Sequence, residues 1–247
     1  MTLEVEAHSE SYRAPEVFYP DSDGEPMADN TLQFEWIVTI KEGLEYLFRN
    51  DPHVFMAGDL LWYPVKGDNR TRLAPDAMVV FGRPKGYRGS YRQWEEDGIS
   101  PQVVFEVLSP GNRASEMAKK RRWYARYGVE EYYEYDPDHG KLRGWLIHGT
   151  GLIEIPQMQG WVSPRLHVTF GLEGTDLVLI GPDGKPFQSY LAVTNERDQI
   201  AAKQAETAAD LDALVAKQAQ IAAERDRERA RAERLAARLR ELGLDEE

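Results

Sequence analysis

Apolar and polar positions follow two periods along this chain. Leu32, Trp36, Ile40, Leu44 and Leu47 recur every three or four residues, which predicts a helix from a cap at Asn30 or Thr31 through Arg49, closed by Asp51-Pro52. Short runs rich in apolar, β-branched and aromatic residues then predict strands at Val54 to Tyr63, Leu73 to Phe81, Pro101 to Pro110, Glu130 to Asp136, Lys141 to His148, Leu152 to Ile155 and Leu166 to Phe170. Lys66-Gly67-Asp68-Asn69 reads as a hairpin turn, Asp136 to Gly140 as a second turn, and Asp183-Gly184-Lys185-Pro186 as the end of the globular part. Gly82 to Ser100 is a long loop in which Arg, Lys and Tyr interleave. Within it Lys85 to Arg92 reads equally well as a nucleic-acid contact and as a surface excursion or dimer contact. A basic helix is predicted from Gly111 to Tyr127.

The order of helix, strands, helix and strand predicts an α/β fold, a mixed β-sheet flanked by helices, over residues 30–188. Residues 1–29 are acidic and contain Pro15, Pro20 and Pro26, the signature of a poorly ordered arm with a short extended piece at Val17 to Tyr19. From residue 189 onward Ala, Gln, Glu and Arg dominate, and a long helix is expected. Eight of its thirteen heptad seam positions are apolar, while Gln218, Arg225 and Glu228 interrupt them. That pattern favours partial self-association, as a homodimer or larger assembly, over a uniform coiled coil.

Composition narrows the picture in three ways. A hydrophobic share of 42% and a charged share of 29% fit a globular protein with a full core. The absence of Cys excludes disulfides and thiolate metal sites and agrees with a cytoplasmic location; no membrane span or export signal is expected. The net charge of -12 argues against a broad nucleic-acid surface, but residues 1–29 hold eight acids and one base, whereas residues 30–196 hold 22 acids and 19 bases. The body itself is near balance.

Candidate chemistry lies between Thr71 and Tyr135. Asp76 and Glu106 each sit within an apolar run, and ionised carboxylates there are costly unless compensated. Two of them on neighbouring strands suggest a shared hard cation, Mg2+ or Mn2+. On the basic helix, Trp123, Tyr124 and Tyr127 follow Lys120 at three, four and seven positions, so Lys120 shares the stripe that faces the sheet. Plainer roles stand beside these. Asp76 suits a turn after Pro75, Lys120 suits an ion pair with Glu116, Ser109 suits a cap, and Asp59 suits either a hairpin or a site.

Pro75-Asp76, Glu106-Val107-Leu108-Ser109-Pro110, Lys120 with Tyr124, Gly128-Val129-Glu130-Glu131-Tyr132 and Asp136-Pro137 together resemble the Uma-type restriction-endonuclease family of the PD-(D/E)XK nuclease superfamily. The likeness runs from about Asn30 to Leu179. It implies a restriction-endonuclease-like fold and metal-dependent hydrolysis of phosphodiesters, DNA foremost, with Asp76 and Glu106 as ligands. Where the superfamily pattern has Lys two residues after the acid, this chain has Leu108, and the resemblance assigns that role to Lys120. It also offers Glu35, on the first helix, as a further metal ligand. Two alternatives remain open: a catalytically silent scaffold acting through its C-terminal helix, and a hydrolase of small phosphodiesters.

Overall fold

A computed structural model describes residues 17–24 and 26–241. The chain divides into two compact units, residues 1–189 and 190–247. In the first, α1 (Thr31–Leu47) is followed by β1 (Val54–Ala57), β2 (Trp62–Tyr63), β3 (Ala77–Phe81), β4 (Tyr91–Arg92) and β5 (Val103–Val107). Then come α2 (Ala114–Arg126), β6 (Glu131–Asp136), β7 (Lys141–His148), β8 (Gly151–Glu154), β9 (Trp161–Val162), β10 (Thr169–Glu173) and β11 (Asp176–Ile180). The second unit contains α3 (Tyr190–Glu241), 52 residues long. No helix among the described residues is long and apolar enough to cross a membrane.

Six strands form one mixed sheet in the order β1-β3-β5-β6-β7-β8. The β5 and β6 strands are parallel, and β1-β3, β3-β5, β6-β7 and β7-β8 are antiparallel. A parallel neighbour requires a crossover, and α2 supplies it between β5 and β6. The central strands are buried on both faces, which is why they read as continuous apolar runs rather than alternations.

Strand alternation distributes the central side chains between two cores. Ala77, Val79, Val103, Phe105, Val107, Tyr133 and Tyr135 pack with Ile37, Ile40 and Leu44 of α1 and with Phe170, Leu177 and Leu179. Met78, Val80, Val104 and Tyr132 pack on the opposite face with Trp62, Tyr91 and Tyr124. By the same parity Asp76 and Glu106 fall on the second face, beneath α2.

Asn30 caps α1, its Oδ1 accepting from Gln33 N at 2.8 Å. Gln33 is buried and ties the helix start to the end of β5: its Nε2 donates to Val107 O at 2.7 Å, and its Oε1 accepts from Asp29 N at 2.8 Å. Glu35, two residues on, is exposed.

Several expected elements differ in detail. The strand expected from Val54 to Tyr63 breaks into β1 and β2, because Asp59 takes a left-handed conformation, φ 47°. The Lys66–Asn69 turn brings Leu73 back to Trp62 in an antiparallel bridge, while β3 itself pairs with β1, and Asp76 lies just ahead of β3 rather than inside it. The 82–100 segment contributes β4, paired in parallel with β2, and a 3-10 turn at Gln93–Glu95. A second sheet, β11-β10-β9, includes the two strands that apolar runs alone did not mark.

Residues 1–16 of the expected poorly ordered arm lie outside the described residues. Residues 17–24 and 26–29 are held on the domain, against that expectation. Tyr63 Oη donates to Pro20 O at 2.7 Å, Asn69 Nδ2 donates to Phe18 O at 2.8 Å, and the Tyr19 ring packs on Tyr63 and Trp94.

Replacing Gln33 with Ala leaves the buried Val107 carbonyl without its partner. A loss of about 1–3 kcal/mol is expected, read as a lower urea midpoint at constant slope, whereas Glu35→Ala leaves the midpoint unchanged.

Candidate active site

The β3-β5 register pairs Ala77 with Phe105, and one further step sets Asp76 opposite Glu106. Asp76 Oδ2 accepts from Val107 N at 2.6 Å, which locks the carboxylate across the strand end. Glu106 is 3% exposed, and two groups from α2 hold its oxygens: Lys120 Nζ at 2.7 Å on Oε2 and Tyr124 Oη at 2.5 Å on Oε1. Tyr124 is fully buried, stacked near Trp62 and Tyr132. The side chain of Lys120 retains 31% of its exposure, so the ammonium bridges the core and the cleft.

Lys120 therefore does not serve as the partner of Glu116, whose carboxylate instead accepts from Arg113 N at 3.4 Å at the start of α2. The aromatic stripe explains the difference. Packing Trp123 and Tyr124 against Trp62 rolls the stripe onto the sheet, and Lys120, one turn earlier, follows it to Glu106.

The electrostatics show a site with excess negative charge. Burial, and then repulsion from Glu106, push the Asp76 carboxyl well above the ordinary range, against the pull of the Val107 N–H and Lys120. Asp59 is also raised, by burial and then by Asp23 and Glu106. Burial lowers the affinity of Lys120 for its proton, but Glu106, followed by Asp76 and Glu134, outweighs that effect and leaves its pKa above the ordinary lysine value. Burial and Glu106 push Tyr124 well up, so it remains a phenol and a donor.

A cleft of about 530 Å³ opens over these groups. Asp59, Asp76 and Lys120 line it, with Arg70 and Arg72 on the wall and Asp23 and Asp29 on the segment preceding α1. Asp59 reaches it because its N–H donates to Pro75 O at 3.0 Å, joining the 58–59 turn to the Pro75-Asp76 turn. Positive φ at a residue other than glycine marks such positions, but nothing in the sequence pattern predicts it. Gln33, Arg70 and Arg72 line the cleft and Tyr124 holds Glu106, roles that no local spacing marks.

Of the residues expected at a site, Asp76, Glu106 and Lys120 come together. Glu35 does not: it is exposed on α1 and is not among the cleft residues, and Gln33 occupies the inward position of that turn. Ser109 is buried, its hydroxyl donating to Asp29 Oδ2 at 2.5 Å, in keeping with a turn-capping role. The 82–100 loop spends much of its charge internally. Arg83 and Arg88 both pair with Glu96, and the Arg88 guanidinium lies 3.9 Å from the centre of the Phe55 ring.

The donor set available to a metal is hard oxygen, suited to Mg2+ or Mn2+. Among the described residues no group of three or more His, Asp or Glu side chains is arranged around one point. The fit therefore rests on two carboxylates whose mutual repulsion a divalent cation would relieve, with water and substrate oxygens completing the shell.

The pattern of the Uma2 family, described as "Putative restriction endonuclease", matches residues 35–173, more than half of the chain. Among solved structures the chain is similar to one from Anabaena variabilis ATCC 29413 described as "a putative nuclease belonging to DUF820". The two share 14% identity with a TM-score of 0.44, over 59% of this chain and 80% of that one. No curated protein matches.

A raised Asp76 pKa gives a signed expectation for stability. In the metal-free protein the native state binds this proton more tightly than the unfolded chain does, so the contribution is complete below the ordinary Asp value of 3.8 and is lost as pH rises through the native value. Melting temperature should accordingly fall across that window, less steeply in Asp76→Asn. Addition of Mn2+ above the window should restore it in the wild type only.

Proposed function

The chain belongs to the Uma2 family, and from that family's description as "Putative restriction endonuclease" we propose a metal-dependent nuclease that hydrolyses phosphodiester bonds in DNA. The observation that carries the proposal is the placement of Asp76 opposite buried Glu106, with Asp76 and Lys120 lining the open cleft and Lys120 bonded to Glu106. Asp76 and Glu106 would hold Mg2+ or Mn2+. Such an ion supplies Lewis acidity and a more acidic bound water.

The protein's own groups have separable tasks. The Val107 N–H fixes one oxygen of Asp76, a residue that lines the cleft. Tyr124 clamps Glu106 from the buried side and limits rotation of its carboxylate. Lys120 presents a fixed positive charge where a phosphate would arrive, able to orient an attacking water or to stabilise the charge that develops on the phosphoryl oxygens. Arg70 and Arg72 add cationic wall for flanking phosphates. Glu35 has no part in this arrangement.

The 52-residue α3 suits a second role. It buries no side chain within its own unit, and Leu211, Leu214, Val215, Ile221, Leu235 and Leu239 are all exposed. Helical stability in proteins comes mostly from packing an apolar face. We propose that α3 pairs with a second copy in a symmetric dimer.

Cleavage assays with Mg2+ and Mn2+ test the catalytic assignment. Asp76→Ala and Lys120→Ala are each expected to lower the rate at least about a hundredfold. Equal residual cleavage in wild type and both variants would sink it. For α3, sedimentation should give a dimer that Leu211→Asp combined with Leu214→Asp converts to monomer.

A further inference from the structure

A second groove, of about 700 Å³, has no part in the chemistry above. Phe18, Tyr19, Lys66, Arg92, Trp94 and Glu95 supply most of its lining. Its aromatic floor is fixed: the Tyr19 ring lies 4.9 Å from Trp94 and 5.2 Å from Tyr63, and its hydroxyl accepts from Gly67 N at 2.5 Å. Phe18 is 77% exposed although its carbonyl is anchored by Asn69, so a large apolar ring is held out in water by an ordered backbone. Lys66 is exposed and makes no ion pair among the described residues. Arg92 pairs with Glu95 only at 3.6 Å and keeps 34% of its side-chain exposure.

We infer that this groove binds a single-stranded segment of nucleic acid and feeds it to the cleft, so that the substrate is a single strand or a duplex with a frayed flank. The inference rests on the nuclease reading and narrows its substrate. The exposed Phe18 ring offers a flat apolar face to a base, which a duplex hides within its own stack, and Tyr19 with Trp94 supplies a half-buried aromatic floor behind it. Lys66 and Arg92 offer positive charge for the intervening phosphates.

Continuity with the cleft comes from shared walls. The turn that puts Lys66 and Gly67 in the groove puts Arg70 and Arg72 in the cleft. The segment that puts Phe18 and Tyr19 in the groove puts Asp23 in the cleft. A strand leaving the groove along the 66–72 turn would be led toward Arg70 and Arg72, which line the same cleft as Lys120. The acids facing the cleft discourage lateral entry by a polyanion, and the basic side of the 66–72 turn is the favourable approach.

The test uses the full chain in EDTA, titrated against fluorescein-labelled oligothymidylate and against a duplex of the same length, with anisotropy as the readout. The single strand should bind at least about tenfold more tightly than the duplex, and Phe18→Ala and Trp94→Ala should each weaken single-strand binding by about tenfold. Lys66→Glu should weaken it and reduce its salt dependence. Phe18→Ala removes an exposed ring, so it tests the groove even if Trp94→Ala fails to fold. Equal affinity for both oligonucleotides, or single-strand binding indifferent to Phe18→Ala and Lys66→Glu, would overturn the inference. Groove-dependent binding without cleavage in Mg2+ or Mn2+ retires the nuclease reading alone, and cleavage with no groove dependence retires the groove alone.

Discussion

Asp76 and Glu106 face each other across the ends of β3 and β5, where water is too scarce to screen them and both cannot be charged at low cost. Their repulsion is reduced by a lysine from above, a phenol from within and one backbone N–H. Each of these groups has to be delivered to within about 3 Å for the compensation to work. That requirement makes the site sensitive to the register of two strands and to the roll of one helix.

The surrounding architecture meets the requirement with rigid parts. Antiparallel pairing fixes Asp76 opposite Glu106, and parallel pairing of β5 with β6 obliges α2 to cross the same face. The aromatic cluster of Trp62, Trp123, Tyr124 and Tyr132 sets the roll of α2. On the far face, Gln33 holds α1 to the carbonyl of Val107, the residue whose N–H holds Asp76. A disturbance of the Val107 backbone would reach the site from either core.

Much of this was legible from the residues in order. The 3.6-residue pattern of α1, the acids at 76 and 106 and the position of Lys120 on its aromatic stripe all arise from local spacing, and local spacing survives folding. Glu35 shows the boundary of that logic. It stands at the edge of an apolar stripe, and one helical position decides between cleft and solvent; the docking of α1 through Gln33 settled it for solvent. The same holds for Glu116, which is at the right spacing for Lys120 but lost it to Glu106, a partner 14 residues away.

The sequence by itself determined the two helices of the body, most of the central strands, the α/β class and the family likeness, and it marked Asp76, Glu106 and Lys120 as candidates, because periodicity and the cost of buried charge are properties of the local chain. Only the tertiary structure decided that Asp59, Arg70 and Arg72 reach the cleft, that Phe18 and Pro20 are tied to the domain by hydrogen bonds, and that Arg83 and Arg88 pair with Glu96. Those outcomes depend on contacts between residues far apart in the chain, among them the bridge between Trp62 and Leu73 and the parallel pairing of two-residue strands, which no short-range pattern encodes.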